Sequence, residues 1–154
     1  MAEAKHSGYK AEIQTVAFSG TQVLNGLTDT EWTNLSDEID NSTTLYLMAD
    51  LELVLASAAF SGADSQVEIY LVPTVDGTNY PNWTGNVTTA EQENTQHFIG
   101  AVTTSGTTEA QRLTVRSIAL PPGKFKFGVR NNAGADFAGS GNTLKYRPWN
   151  YASS

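Results

Sequence analysis

From Leu45 the chain alternates. Leu45, Leu47, Ala49, Leu51, Leu53 and Leu55 fall at every second position, with Tyr46, Met48, Asp50 and Glu52 between them. A period of two puts the leucines on one face of a strand. Wound as a helix, the same stretch brings Asp50 and Glu52 onto the leucine face. Val67, Ile69 and Leu71 repeat the pattern, with Glu68 and Tyr70 opposite, up to Pro73. Asp76-Gly77 then signals a tight turn. Residues 111–120 predict a third strand. Leu113 and Val115 share one face, but Ile118 and Leu120 have the other parity, which predicts a bulge near Ser117. Pro121-Pro122-Gly123 forces a turn. A fourth strand follows, with Phe125, Phe127 and Val129 inward and Lys124, Lys126 and Arg130 outward. Weaker strands are expected over 11–18, 97–103 and 143–149.

One stretch invites a helix. Thr28-x-x-Glu31 has the form of a capping box, and Trp32, Leu35 and Ile39 follow at helical spacing. Asn34, Ser36 and Asn41 are poor helix formers, so an irregular strand or loop fits equally well. Trp32 is expected in the core or as a cover over it. Short alternating strands separated by regular turn signals predict an all-β fold, an antiparallel β-sandwich, either jelly-roll-like or immunoglobulin-like. Its core is expected from Leu45, Leu47, Leu51, Leu53, Val67, Ile69, Leu71, Phe125, Phe127 and Val129. Residues 1–15 read as a loose arm and 16–154 as a single sandwich domain with an aromatic C-terminal tail. The Gly/Ala-rich residues 133–141 read as a flexible loop.

Length and composition fit this picture. The chain has 154 residues, 40% of them hydrophobic and 10% aromatic, which suits one folded domain and excludes full-length disorder. Only 16% are charged, and the net charge is −7. That acidity argues against nucleic-acid and membrane-surface partners. With no cysteine, disulfide frameworks and thiolate chemistry are excluded. The first ten residues are polar and contain no signal-like apolar run. The sequons at Asn34, Asn41, Asn82 and Asn86 are therefore read as products of a Thr/Asn-rich composition.

A search for chemistry returns little. Nucleotide-binding glycine loops, the nucleophile elbow and the zinc-protease motif are all missing from the sequence. A catalytic triad would have to use His97, which reads instead as a strand-edge residue. Asp50 and Glu52 share a strand face, and Asp37, Glu38 and Asp40 form the densest acidic group. Both sets read as solvated carboxylates rather than as an acid–base pair or a calcium site. The expectation is no catalytic residue, no cofactor and no metal. Aromatic residues in loop and tail contexts carry more information. Tyr80, Trp83, Tyr146, Arg147, Trp149 and Tyr151 are the partner-binding candidates, because aromatics and Arg dominate interface hot spots. Pro148 is expected to keep the tail from continuing an inner strand, so contacts are expected through the chain's ends, residues 1–15 and 146–154.

Five segments together carry a resemblance. They are Trp32 with SDEIDNST (36–43), DLEL (50–53), IYLVPTVDGTNYPNW (69–83), AQRLTVRSIALPPGKFKFGVRNNAG (110–134) and SGNTLKYRPWNY (140–151). The chain resembles a group of small tailed-bacteriophage proteins associated with the virion. The resemblance implies a β-sandwich decoration or accessory structural protein, with no catalytic residue to carry over. The first expectation is a capsid decoration (cement) protein on the particle surface, made in the bacterial cytoplasm. Its partners would be the major capsid protein, other virion proteins or further copies of itself. The alternatives are a carbohydrate-binding module of a head or tail fibre, using Tyr80 and Trp83 on a glycan, and a head–tail or tail structural subunit.

Overall fold

In a computed structural model of the chain, residues 6–9, 11–58, 60, 65–83, 85 and 95–151 are described. Among them are nine strands, a single 3-10 turn at Thr95–His97, and no α-helix. The strands are β1 (His6–Tyr9), β2 (Gln14–Thr15), β3 (Ile39–Asp40), β4 (Met48–Leu55), β5 (Gln66–Pro73), β6 (Phe98–Thr103), β7 (Gln111–Ala119), β8 (Lys124–Asn132) and β9 (Thr143–Tyr151). They form two antiparallel sheets. One runs β1-β9-β4-β7, with β2 also on β9, and the other runs β3-β8-β5-β6. The pairs β2·β9, β3·β8, β4·β7 and β5·β6 are nested like one long hairpin rolled up. That is the order of a jelly roll. An immunoglobulin-like order would pair several consecutive strands, and here only β5 and β6 are consecutive neighbours.

The core lies between the sheets. Leu51 and Leu53 of β4, Leu144 of β9 and Ile118 of β7 meet Val67, Ile69, Leu71, Phe125, Phe127 and Val129 of the other sheet in one buried cluster. Burying each such side chain contributes roughly 1.5–3 kcal/mol. The alternation therefore predicts eight of the ten expected core residues correctly. Leu45 and Leu47 are the exceptions, at 51% and 55% exposed. β4 starts only at Met48. Before it, the Asn41 side chain organises a turn, accepting the Tyr46 N–H at 2.8 Å and donating to the Tyr46 and Pro121 carbonyls, each at 2.8 Å. Leu45 takes φ 48° within that turn, so the two leucines keep the parity of the strand but leave its face.

The stretch around Trp32 is not helical. Its chain runs irregularly beside β8, and two side chains complete the ladder. Thr33 Oγ1 accepts the Val129 N–H at 3.0 Å, and Ser36 Oγ accepts the Phe127 N–H at 2.9 Å. Trp32 lies outside the main core. It is fully buried on the outer face of the β3-β8-β5-β6 sheet, against Tyr70 and Trp83.

Both ends differ from expectation. Residues expected as a loose arm form β1 and β2 along β9, through Tyr9↔Trp149 and Gln14↔Tyr146. Residues 1–5 and 10 lie outside the described residues. The tail becomes β9, an inner strand despite Pro148. The ladder to β4 runs unbroken past Ala49↔Pro148. On the other side, the described pairing with β1 ends at Trp149 and that with β2 begins at Tyr146, so Pro148 falls between the two stretches. The loop at 133–141 is also tied down. Phe137 is buried edge-on to Phe60, its N–H donates to the Leu27 carbonyl at 2.9 Å, and Asp29 Oδ1 accepts the Gly134 N–H.

Candidate functional site

Trp83 and Tyr80 lie on the outer side of the β3-β8-β5-β6 sheet, Tyr146 faces the core, and Arg147, Trp149 and Tyr151 lie along β9 of the other sheet. Trp83 sits on the outer face of the β3-β8-β5-β6 sheet. Its indole lies over Gly128, where an added Cβ would meet Trp83 Cζ2 at 2.2 Å. Nε1 donates to the Thr33 carbonyl at 2.8 Å, and the ring makes edge contacts with Trp32 and Tyr70. Gly128 thus makes the slot that Trp83 fills. Beside it, the Arg130 guanidinium stands 5.2 Å from the Trp32 ring and pairs with Glu68.

Tyr80 packs on the same face, over Lys126, two residues along β8 from Gly128. Its hydroxyl donates to Glu38 Oε2 at 2.9 Å, and Lys126 Nζ lies 4.7 Å from the ring centre. Burial first, and the Glu38 carboxylate second, push the Tyr80 phenol above its ordinary range. Glu38 in turn is held below the usual carboxylate range by hydrogen bonds from Lys124 and Tyr80. Among the described residues Tyr80 and Trp83 make no ring contact with each other; they stand over neighbouring outward positions of β8, Lys126 and Gly128. Tyr146 faces inward. It packs on Phe127 and lines a pocket of about 260 Å³ with Tyr46, Ile39, Leu120 and Pro148. Burial raises its phenol pKa, and Tyr46 adds to the shift.

Arg147, Trp149 and Tyr151 lie together. Along β9 the even positions Leu144 and Tyr146 pack on the core, so the odd positions point outward. Lys145, Arg147 and Trp149 lie beside Glu52, Asp50 and Met48 of β4. Trp149 is buried there, edge-on to the half-exposed Tyr151 at 5.2 Å between ring centres. β7 supplies the other border. Ala49 pairs with Ile118 but Leu51 pairs with Val115, leaving Arg116 and Ser117 both opposite Asp50. This is the bulge expected at Ser117, which takes φ 57° and donates its N–H to Asp50 Oδ1 at 2.8 Å. Two residues opposite one let the exposed Arg116 share the outer face with Asp50. Arg112 Nη1 completes the face, 2.7 Å from Glu52 Oε1.

The outer face of the β1-β9-β4-β7 sheet therefore holds Arg112, Arg116, Lys145 and Arg147 around Asp50 and Glu52. Just ahead of β4 stand the exposed Leu45 and Leu47, the N–H of Leu47 donating to Asn150 Oδ1 of β9. The three strands position the charges by register. This surface was legible only in part, because Arg116, Lys145 and the two leucines carry no motif of their own. The tail composition alone pointed to it.

The other candidate groups have local partners. Asp37 accepts from Ser19 Oγ, and Asp40 accepts from the Ser42 N–H. Among the described residues no three His, Asp or Glu side chains gather as a metal ion would need. His97 is half-buried, burial lowers its pKa, and its Nε2 meets no partner among the described residues. Asn41 is buried with its amide fully engaged, and Asn86 lies outside the described residues. No protein-family model matches this chain, and no curated protein matches it either.

Proposed function

We propose that the chain is a non-enzymatic structural protein of a bacteriophage particle, a capsid decoration protein that binds the particle surface and further copies of itself. The observation that carries this reading is the outer face of the β1-β9-β4-β7 sheet. It combines Arg147 and Tyr151 of β9 with Arg112 and Arg116 of β7 on paired strands, with the exposed Leu45 and Leu47 in the turn ahead of β4, and interfaces concentrate aromatics, Arg and apolar side chains in this way. The segments that resemble virion-associated phage proteins supply the biological setting, and most of β4, β7 and β9 falls within them.

The structure changes how the chain would bind. Residues at both ends are strands of one sheet, so a contact through Arg147 and Tyr151 is a contact through a sheet face. A flat β-sheet face suits docking on a repeating lattice, because it presents fixed side chains without an ordering cost. The sugar-binding alternative has less support, because the Trp83 ring packs on Gly128, Trp32 and Tyr70 and Tyr80 is engaged by Glu38 and Lys126. Co-sedimentation with particles of the phage that encodes the chain tests the proposal. The expected result is stoichiometric binding that Tyr151→Ala with Leu47→Ala weakens. A chain that stays in the supernatant contradicts it.

A further inference from the structure

The outer face of the β1-β9-β4-β7 sheet has a charge opposite to that of the protein. The whole chain carries −7, yet among the described residues the outward positions of β4, β7 and β9 hold four cations and two carboxylates. The arrangement follows from β4. Its two outward acids each stand between cations from both neighbouring strands. Asp50 has Arg116 on the β7 side and Arg147 on the β9 side, and Glu52 has Arg112 and Lys145. Each anion on the face is thus already matched, while a surplus of two positive charges remains. Arg116 and Lys145 enter no ion pair among the described residues, and Arg116 is exposed.

We infer that this face docks an acidic protein surface, one that presents clustered carboxylates to Arg116, Lys145 and Arg147. The inference rests on the reading of this face as the partner-binding surface. Charge complementarity supports it: the net negative charge of the molecule repels an acidic partner, so approach is steered toward the cations of this face. Guanidinium forks also match carboxylates bidentately. A nucleic-acid partner is disfavoured by the same acidity, because a polyanionic duplex extends well past a patch three strands wide.

Fluorescent poly-L-glutamate, titrated into the purified chain at low salt, tests this without any particle. The expected result is saturable binding that weakens at least tenfold in Arg116→Glu/Lys145→Glu and falls as salt screens the charges. Lys126→Glu, on the opposite sheet, should bind like the parent chain. If the double reversal disturbs folding, judged by its thermal transition, Arg116→Gln/Lys145→Gln serves instead and should still weaken binding several-fold. Absence of binding, binding indifferent to the substitutions, or tighter binding of a DNA duplex of equal charge overturns the inference. None of these outcomes bears on whether the chain sits on the particle, which co-sedimentation decides separately.

Discussion

Asp50 Oδ1 accepts the backbone N–H of Ser117 at 2.8 Å, across the boundary between β4 and β7. One acidic side chain thereby closes the bulge that restores Ile118 to the core, just past the outward Arg116. The bulge also disrupts the free edge of the sheet, which discourages edge-to-edge pairing. Asp50→Ala should cost about 1–3 kcal/mol, the usual loss when a charged acceptor leaves a backbone donor unmet. Ser117→Gly should be neutral or stabilising by up to about 1 kcal/mol, because φ 57° disfavours a side chain there. Urea unfolding of the two variants checks both.

Leu53→Ala should cost about 2–5 kcal/mol, since the residue is fully buried between the sheets. Leu47→Ala, three steps of the same alternation earlier, should change stability by less than about 0.5 kcal/mol. Equal losses at both positions, measured by thermal or denaturant unfolding, would show that β4 extends further back than Met48.

That contrast shows what alternation can and cannot reveal. Within a strand, parity assigns inside and outside, and even the break of parity at Ser117 locates a bulge. Parity does not tell where a strand begins. Leu45 and Leu47 are excluded by the amide of Asn41, a polar residue whose role depends on carbonyls at Tyr46 and Pro121. Trp32 shows the same limit, since the acceptors that tie its segment to β8 are hydroxyls of Thr33 and Ser36. The Trp83 slot depends on Gly128, a residue distant in sequence whose only signal is a missing side chain. The outer face, finally, is assembled from three strands, so none of its segments reveals the charge surplus alone.

Gly128→Ala tests that slot. An added methyl would overlap the Trp83 ring, so the indole must move, at a cost of about 1–3 kcal/mol. In a Trp83→Ala background the same substitution should cost much less, because the clashing partner is gone. Additive effects in the double-mutant cycle would mean that Trp83 does not occupy the slot in solution.

Strong acid should weaken the turn that follows β5. Backbone and side-chain hydrogen bonds from Asn79, then those from Thr78 and Thr74, hold Asp76 far below its ordinary 3.8. A depressed folded-state pKa means that the stabilisation is fully present above the ordinary carboxylate range. It is lost as pH falls below that range. Asp76→Asn should lower the melting temperature at neutral pH and flatten its decline under acid. A melting profile between about pH 7 and pH 2 that is parallel to the parent's would contradict this assignment.

The central claim is that this jelly roll decorates a phage particle through the outer face of its β1-β9-β4-β7 sheet. Electron cryo-microscopy of purified particles tests it most directly. The account predicts density for the sandwich on the particle exterior, with Arg116, Arg147 and Tyr151 turned toward a neighbouring subunit. Particles without such density, or density in which that face is open to solvent while the Trp83 face makes the contact, would contradict it.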